Sequence, residues 1–170
     1  MVRRSNHPSI GCWALPGGFV DLRENLEDTA RRELEEETGV KGIAVEQFAC
    51  YGDFCRDPRA RVITSAYMAL VDEESVKVHA GDDAADAAWC SLSLEETLRE
   101  EDDEWITSGY RLLLVNDEKG ISTTATIIKK ERKGLIREKK YTVTDRGMTS
   151  VDHAAIITQA VEILKSRVHG

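Results

Sequence analysis

The stretch 13–40, WALPGGFVDLRENLEDTARRELEEETGV, constrains this chain more than any other. Pro16-Gly17-Gly18 follows the short apolar run CWAL and reads as a tight turn at the end of a strand. Leu26, Ala30 and Leu34 then recur every four residues, which predicts an amphipathic helix over about 26–38, and Gly39 stands where a left-handed residue closes a helix. Eight acidic side chains crowd between Asp21 and Glu37. On the helix Glu33, Glu36 and Glu37 fall at i, i+3 and i+4, so their carboxylates share one face with Cβ atoms about 5–6 Å apart. Like charges so placed repel and raise one another's pKa values unless a cation lies among them.

Two readings of that face are open. It is either a solvated acidic surface or a site for a hard divalent cation, Mg2+ with Mn2+ as a substitute, since the donors are all oxygen. A Mg2+ held by a few carboxylates keeps positions free for water and phosphate oxygens, and metal-assisted phosphoryl chemistry is its natural use.

A resemblance carried by the whole stretch favours the metal. Gly18, five residues, Glu24, seven residues, Arg32-Glu33-Leu34, one residue, Glu36-Glu37, one residue and Gly39-Val40 resemble the signature of the Nudix hydrolases at every defined position. The resemblance implies an α/β fold, an α/β/α sandwich with a mixed sheet, and a loop-helix-loop in which Glu33, Glu36 and Glu37 bind the metal with the carbonyl of Gly17. Glu36 and Glu37 are then catalytic. Arg32 and Glu24 fit a supporting ion pair that orients the cluster. Glu27, Asp28 and Glu35 match variable positions and are assigned to solvent.

The likeness extends beyond this box. RDPRARVITSAYMAL and AGDDAADAAWCSL look like the ADP-ribose pyrophosphatase branch of the family, and DHAAIITQAVEIL looks like its closing helix. That branch carries a proline after the box; Pro58, 18 positions beyond Val40, stands farther away than the usual marker. Arg4, Arg56 and Arg59 are the candidate substrate-binding residues, the last two because a planar guanidinium grips a phosphate. The family takes a general base from a loop such as 82–86, where Asp86 is the first choice and Asp83 the second.

Elsewhere the sequence gives coarser expectations. IAVEQFACYGD and RVITSAYMALVD look like paired strands around a loop, FCRDPRAR. SVKVH suggests a short strand and Ala88–Ser91 another. Ser93 with Glu96 three positions on is a capping-box pattern, which predicts a short acidic helix over SLEETLREEDDE. The segments YRLLLVN, ISTTATIIKK and LIREKKYTVT predict a hairpin or three-stranded meander, and DHAAIITQAVEILKSR a C-terminal helix. Residues 121–147 hold eight basic and three acidic side chains and are expected to form a basic hairpin extension. The chain is expected to be one domain over 1–170, with one or two strands that the family carries ahead of the box missing from its start.

Composition narrows the class. No stretch approaches the roughly 18 apolar residues of a membrane span, and the start has no apolar signal core, so a cytoplasmic location is expected. A net charge of −8 disfavours a nucleic-acid backbone as the main partner. Cys12, Cys50, Cys55 and Cys90 lack zinc-finger spacing and read as free thiols.

The expected activity is Mg2+-dependent hydrolysis of a nucleoside diphosphate linked to another moiety, ADP-ribose giving AMP and ribose 5-phosphate, by a homodimer. One rival is an ADP-ribose-sensing regulator of the Nudix type, with nucleic acid as its partner and the basic 121–147 segment as a wing. A second is a nucleoside triphosphate pyrophosphohydrolase of the MutT type.

Overall fold

Asn25 and Gly39 bracket the first helix. Helix α1 (Leu26–Thr38) starts after Asn25, whose backbone is extended and whose carbonyl receives the Thr29 amide. It stops at Gly39, where φ is 75° and the amide returns to the Glu35 carbonyl at 2.8 Å. A left-handed residue there ends the helix without the strain a side chain would bring. In this computed structural model the described residues are 1–7, 9–72, 74, 76–79 and 84–169. They fall into two units, Met1–Trp89 and Cys90–Gly170.

The first unit holds α1 and five strands: β1 (Val2–Arg4), β2 (Trp13–Ala14), β3 (Glu46–Tyr51), β4 (Thr64–Met68) and β5 (Ala84–Ala87). Strands β2, β1 and β5 form one antiparallel sheet in that order. Val2 faces Ala14 on one side and Ala87 on the other, and these three buried residues pack with Val78 into a small core. Helix α1 lies against β5. Strands β3 and β4 form the expected antiparallel pair, from Glu46 opposite Met68 to Tyr51 opposite Thr64, with the loop 52–63 between them.

The second unit is a four-stranded antiparallel meander, β6 (Ser91–Glu101), β7 (Trp105–Asn116), β8 (Ile121–Arg132) and β9 (Lys139–Asp145), covered by helix α2 (His153–His169). Strand β8 alternates as a half-buried strand must: Ile121, Thr123, Ala125 and Ile127 are buried while Ser122 and Thr124 are exposed. With Leu112 and Leu114 of β7 and Ala154, Ala155, Ile156 and Ile157 of α2 they form the apolar core. Each large aliphatic so buried contributes about 1.5–3 kcal/mol.

Beyond that core the same face turns polar. Glu162 of α2 accepts the hydroxyls of Tyr110 at 2.7 Å and Tyr141 at 2.6 Å and the ammonium of Lys129 at 2.9 Å, one donor from each of β7, β9 and β8. Burial first, then the Glu162 carboxylate, pushes the Tyr110 hydroxyl's pKa up. Burial opposes the charge on Lys129, but the hydrogen bonds to Glu162 and Glu131 outweigh it and raise its pKa.

Several local expectations are corrected. The segment predicted as a short acidic helix from Ser93 is strand β6, with Leu92 and Leu94 opposite Leu114 and Leu112 of β7 and Glu95 paired with Arg111 at 3.1 Å. Backbone pairing along the length of β7 outweighs a capping pattern worth about 1 kcal/mol. Val76–His79 lie outside the strands, and the strand expected at Ala88–Ser91 divides into β5, ending at Ala87, and β6, starting at Ser91. The expected basic hairpin is β8–β9. Among its cations Lys129 binds Glu131 and Glu162, Lys133 binds Glu101, and Lys139 binds Glu131.

Candidate active site

Arg32 is the hub of the box, because all five guanidinium N–H groups are given to acceptors around it. Its Nε and Nη2 hold the two oxygens of Glu24 at 2.8 and 2.9 Å. Its Nη1 reaches Glu33 at 2.7 Å and Glu36 at 3.0 Å, and Nη2 also takes the Phe19 carbonyl at 3.2 Å. One positive charge thus binds three carboxylates from the loop and two turns of α1, and its pKa is raised accordingly, first by Glu24 and then by Glu33. Glu24 is held down at about 2 by the Arg32 fork and the Thr29 hydroxyl, which sits 2.6 Å away.

The loop before the helix closes on the same cluster. The Gly17 amide donates to Glu37 Oε2 at 3.0 Å. At Gly18 the Glu33 carboxylate fills the volume a Cβ would occupy, so any side chain there has to push that carboxylate aside. The donors are hard oxygens, and one guanidinium leaves the group of Glu24, Glu33, Glu36 and Glu37 with excess negative charge, which suits a divalent cation. No group of three histidine, cysteine or acidic side chains among the described residues is arranged to hold a metal ion.

The match to a family model decides what this loop and helix belong to: residues 1–111 fit the NUDIX domain. The chain belongs to the Nudix family. Its α/β class and fold are those of that family. A MutT/nudix family protein from Enterococcus faecalis superposes with a TM-score of 0.68 and 29% identity, over 97% of this chain and 54% of that one. The ADP-ribose pyrophosphatase of Methanocaldococcus jannaschii is 38% identical over 93 residues, 55% of this chain and 54% of its own length. The ADPR responsive transcriptional repressor NtrR of Acinetobacter baylyi is 46% identical over 74 residues, 42% of this chain and 30% of its own. The chain therefore spans about half or less of the length of these relatives.

Within this Nudix chain the box residues named from the sequence come together, whereas the outlying candidates divide. Glu24, Arg32, Glu33 and Glu36 form one bonded group, and Gly17 reaches Glu37. Arg59 is engaged by Asp57: its Nε and Nη2 give 3.0 and 2.7 Å bonds to the two carboxylate oxygens, and its guanidinium stands 5.8 Å from the centre of the Phe19 ring. Arg56 donates to the Thr64 hydroxyl at 2.6 Å. Arg4 lies in β1, its backbone bonded to Gly11 and Cys12. Asp86, expected in a loop, is instead inside β5 opposite Arg3, because β5 completes the sheet with β1; its carboxylate takes the amide of Ala87 at 2.9 Å. Asp82 and Asp83 lie outside the described residues.

Three residues at the site were not read from the sequence. Thr29 occupies a variable position of the box, yet is buried against Glu24. Asp57 is a buried carboxylate whose Arg59 bonds bring it down to about 2. The signal for it was Asp-Pro-Arg, an Asx turn that also returns the Arg59 amide to Asp57 at 2.9 Å. Phe19 is 70% exposed, and nothing in its sequence context pointed to a ring contact.

Proposed function

We propose that the chain hydrolyses the diphosphate of a nucleoside diphosphate linked to another moiety, ADP-ribose being the favoured substrate, with AMP and ribose 5-phosphate as products. The single observation that carries this reading is the intact box in which one arginine gathers Glu24, Glu33 and Glu36. The similarity to an ADP-ribose pyrophosphatase supports the choice of substrate.

Glu33, Glu36 and Glu37, with the carbonyl of Gly17, would hold Mg2+, for which Mn2+ can substitute. When bound, such an ion neutralises phosphate charge and acidifies a coordinated water. The chain's own residues prepare that site. Arg32 offsets part of the charge on Glu33 and Glu36 until a cation arrives, and Glu24 fixes the plane of Arg32 from the opposite side. Gly18 lets the loop approach Glu33, and the Gly17 amide orients Glu37. Arg56 and Arg4 remain the candidates for gripping phosphate. The candidates for the general base are Asp86, which would act from β5, and Asp83.

The test is a panel of ADP-ribose, NADH, diadenosine polyphosphates and nucleoside triphosphates assayed with Mg2+ and with Mn2+. Glu37→Gln should lower turnover of the accepted substrate by at least 100-fold while the melting temperature stays near wild type. A variant with wild-type turnover refutes the metal assignment, and preference for a triphosphate moves the reading to a MutT-type enzyme.

The similarity to the ADPR responsive repressor favours a second reading, an ADP-ribose sensor that binds DNA. Against it, Lys129, Lys133 and Lys139 of the basic hairpin are engaged by carboxylates, and the second unit has one long helix among its described residues where a helix-turn-helix reader uses two. A sensor would bind duplex DNA with a steep salt dependence and release it on adding ADP-ribose.

A further inference from the structure

Asp57 and Arg59 lie outside the box, yet they hold Phe19, which lies inside it. The Asp57 side chain is only 6% exposed and grips two N–H groups of Arg59, so the guanidinium plane is fixed and its charge is largely offset. A guanidinium so neutralised is a poor phosphate fork. Its central carbon stands over the Phe19 ring, 5.8 Å from the centroid. Phe19 is fixed from behind as well, since Arg32 bonds its carbonyl. Even so, its side chain is 70% exposed. A large aromatic that is held at ring and backbone but left open to solvent is pre-organised for a flat partner, because stacking on it costs little conformational entropy.

We propose that Phe19, backed by the Asp57–Arg59 pair, is the stacking platform for the base of the nucleotide. The proposal rests on the reading of the box as a nucleoside diphosphate hydrolase and adds where the base sits. The location suits a base. Phe19 directly follows Gly18, which lies against the Glu33 carboxylate, and its carbonyl is bonded to Arg32, so its backbone adjoins the cluster that would receive the diphosphate. Stacking is tolerant of base identity, since every base presents a π-face. The platform therefore selects for a planar heteroaromatic group and gives little discrimination between purines.

The test uses AMP and ribose 5-phosphate, the two halves of the proposed substrate, and needs no turnover. In full-length Phe19→Trp, with the wild-type emission of Trp13, Trp89 and Trp105 subtracted, AMP should quench the added fluorescence saturably and ribose 5-phosphate should not. By equilibrium dialysis, Phe19→Ala and Arg59→Lys should each weaken AMP binding by roughly 5- to 100-fold, the range of a lost base–aromatic stack, with melting curves showing the variants folded. Equal responses of Phe19→Trp to the two halves, or AMP affinity within twofold of wild type in Phe19→Ala, would overturn the platform. If wild type hydrolyses ADP-ribose while those results are obtained, the platform fails and the hydrolase reading stands. If AMP binds through Phe19 but no substrate of the panel is turned over, the hydrolase reading fails and the platform stands.

Discussion

Gly18 and Glu33 are in contact: the glutamate carboxylate occupies the volume that a side chain at residue 18 would need. Gly18→Ala must therefore push that carboxylate aside while leaving the backbone of α1 intact. The far end of a glutamate can swing into solvent cheaply, so the expected stability loss is under about 1 kcal/mol. Turnover should suffer far more, by about 100-fold, because a displacement near 1 Å at a reacting centre costs that much. Thermal melts and initial rates on the same preparation check the split.

Arg32 gives its five N–H groups to Glu24, Glu33, Glu36 and the Phe19 carbonyl, an arrangement that needs a planar fork. Lysine has the charge but not the fork. Arg32→Lys should lower activity or metal affinity by about 10- to 100-fold, the usual effect of losing a residue that orients ligands. A divalent ion that binds the folded cluster should raise the melting temperature by mass action. The Mg2+-induced rise should be larger in wild type than in Glu33→Gln, and calorimetry with and without chelator measures it.

Glu24 and Asp57 make the protein acid-sensitive in a defined window. Both carboxylates sit at about 2 in the folded chain, Glu24 through Arg32 and Asp57 through Arg59, against about 4 when unfolded. A depressed folded value means that each pair contributes its full stability above pH about 4 and loses it as pH falls toward 2. Melting temperature should decline across that interval. In Asp57→Asn the share of the decline that belongs to Asp57 should vanish, which melts from pH 5 to 2 will show.

The box was legible because its determinants are local. The four-residue spacing of Leu26, Ala30 and Leu34, with Gly39 after it, fixes α1 without reference to the rest of the chain, and the helix period puts Glu33, Glu36 and Glu37 on one face. Strands β3 and β4 were legible for the same reason, as β-branched runs on either side of one loop. Strand β6 was not. Its Ser93–Glu96 pattern speaks for a helix locally, and only its pairing with Leu112 and Leu114, about 20 residues away, makes it a strand. Asp86 misled in the same way, because β5 exists through its pairing with β1 more than 80 residues earlier. The Asp57–Arg59–Phe19 contact joins two loops, which no periodicity reports.

Glu162 was equally hidden, since its partners Tyr110, Lys129 and Tyr141 come from three different strands. The four groups sit where the apolar face of the meander ends, so α2 is fastened by packing at one end and by charge-assisted hydrogen bonds at the other. Tyr141→Phe, which removes the hydroxyl bonded to Glu162, should cost about 1.5–3 kcal/mol, the range for a bond to a charged acceptor. Glu162→Ala should cost more, because it removes the acceptor that Tyr110, Tyr141 and Lys129 share, and Lys129 keeps its ion pair with Glu131 at 3.0 Å. Introduced into Glu162→Ala, Tyr141→Phe should add almost nothing, since the bond it removes is already gone. Urea unfolding of the two single variants and the double variant measures the coupling, and strictly additive losses would mean that Tyr141 and Glu162 do not share a bond in solution.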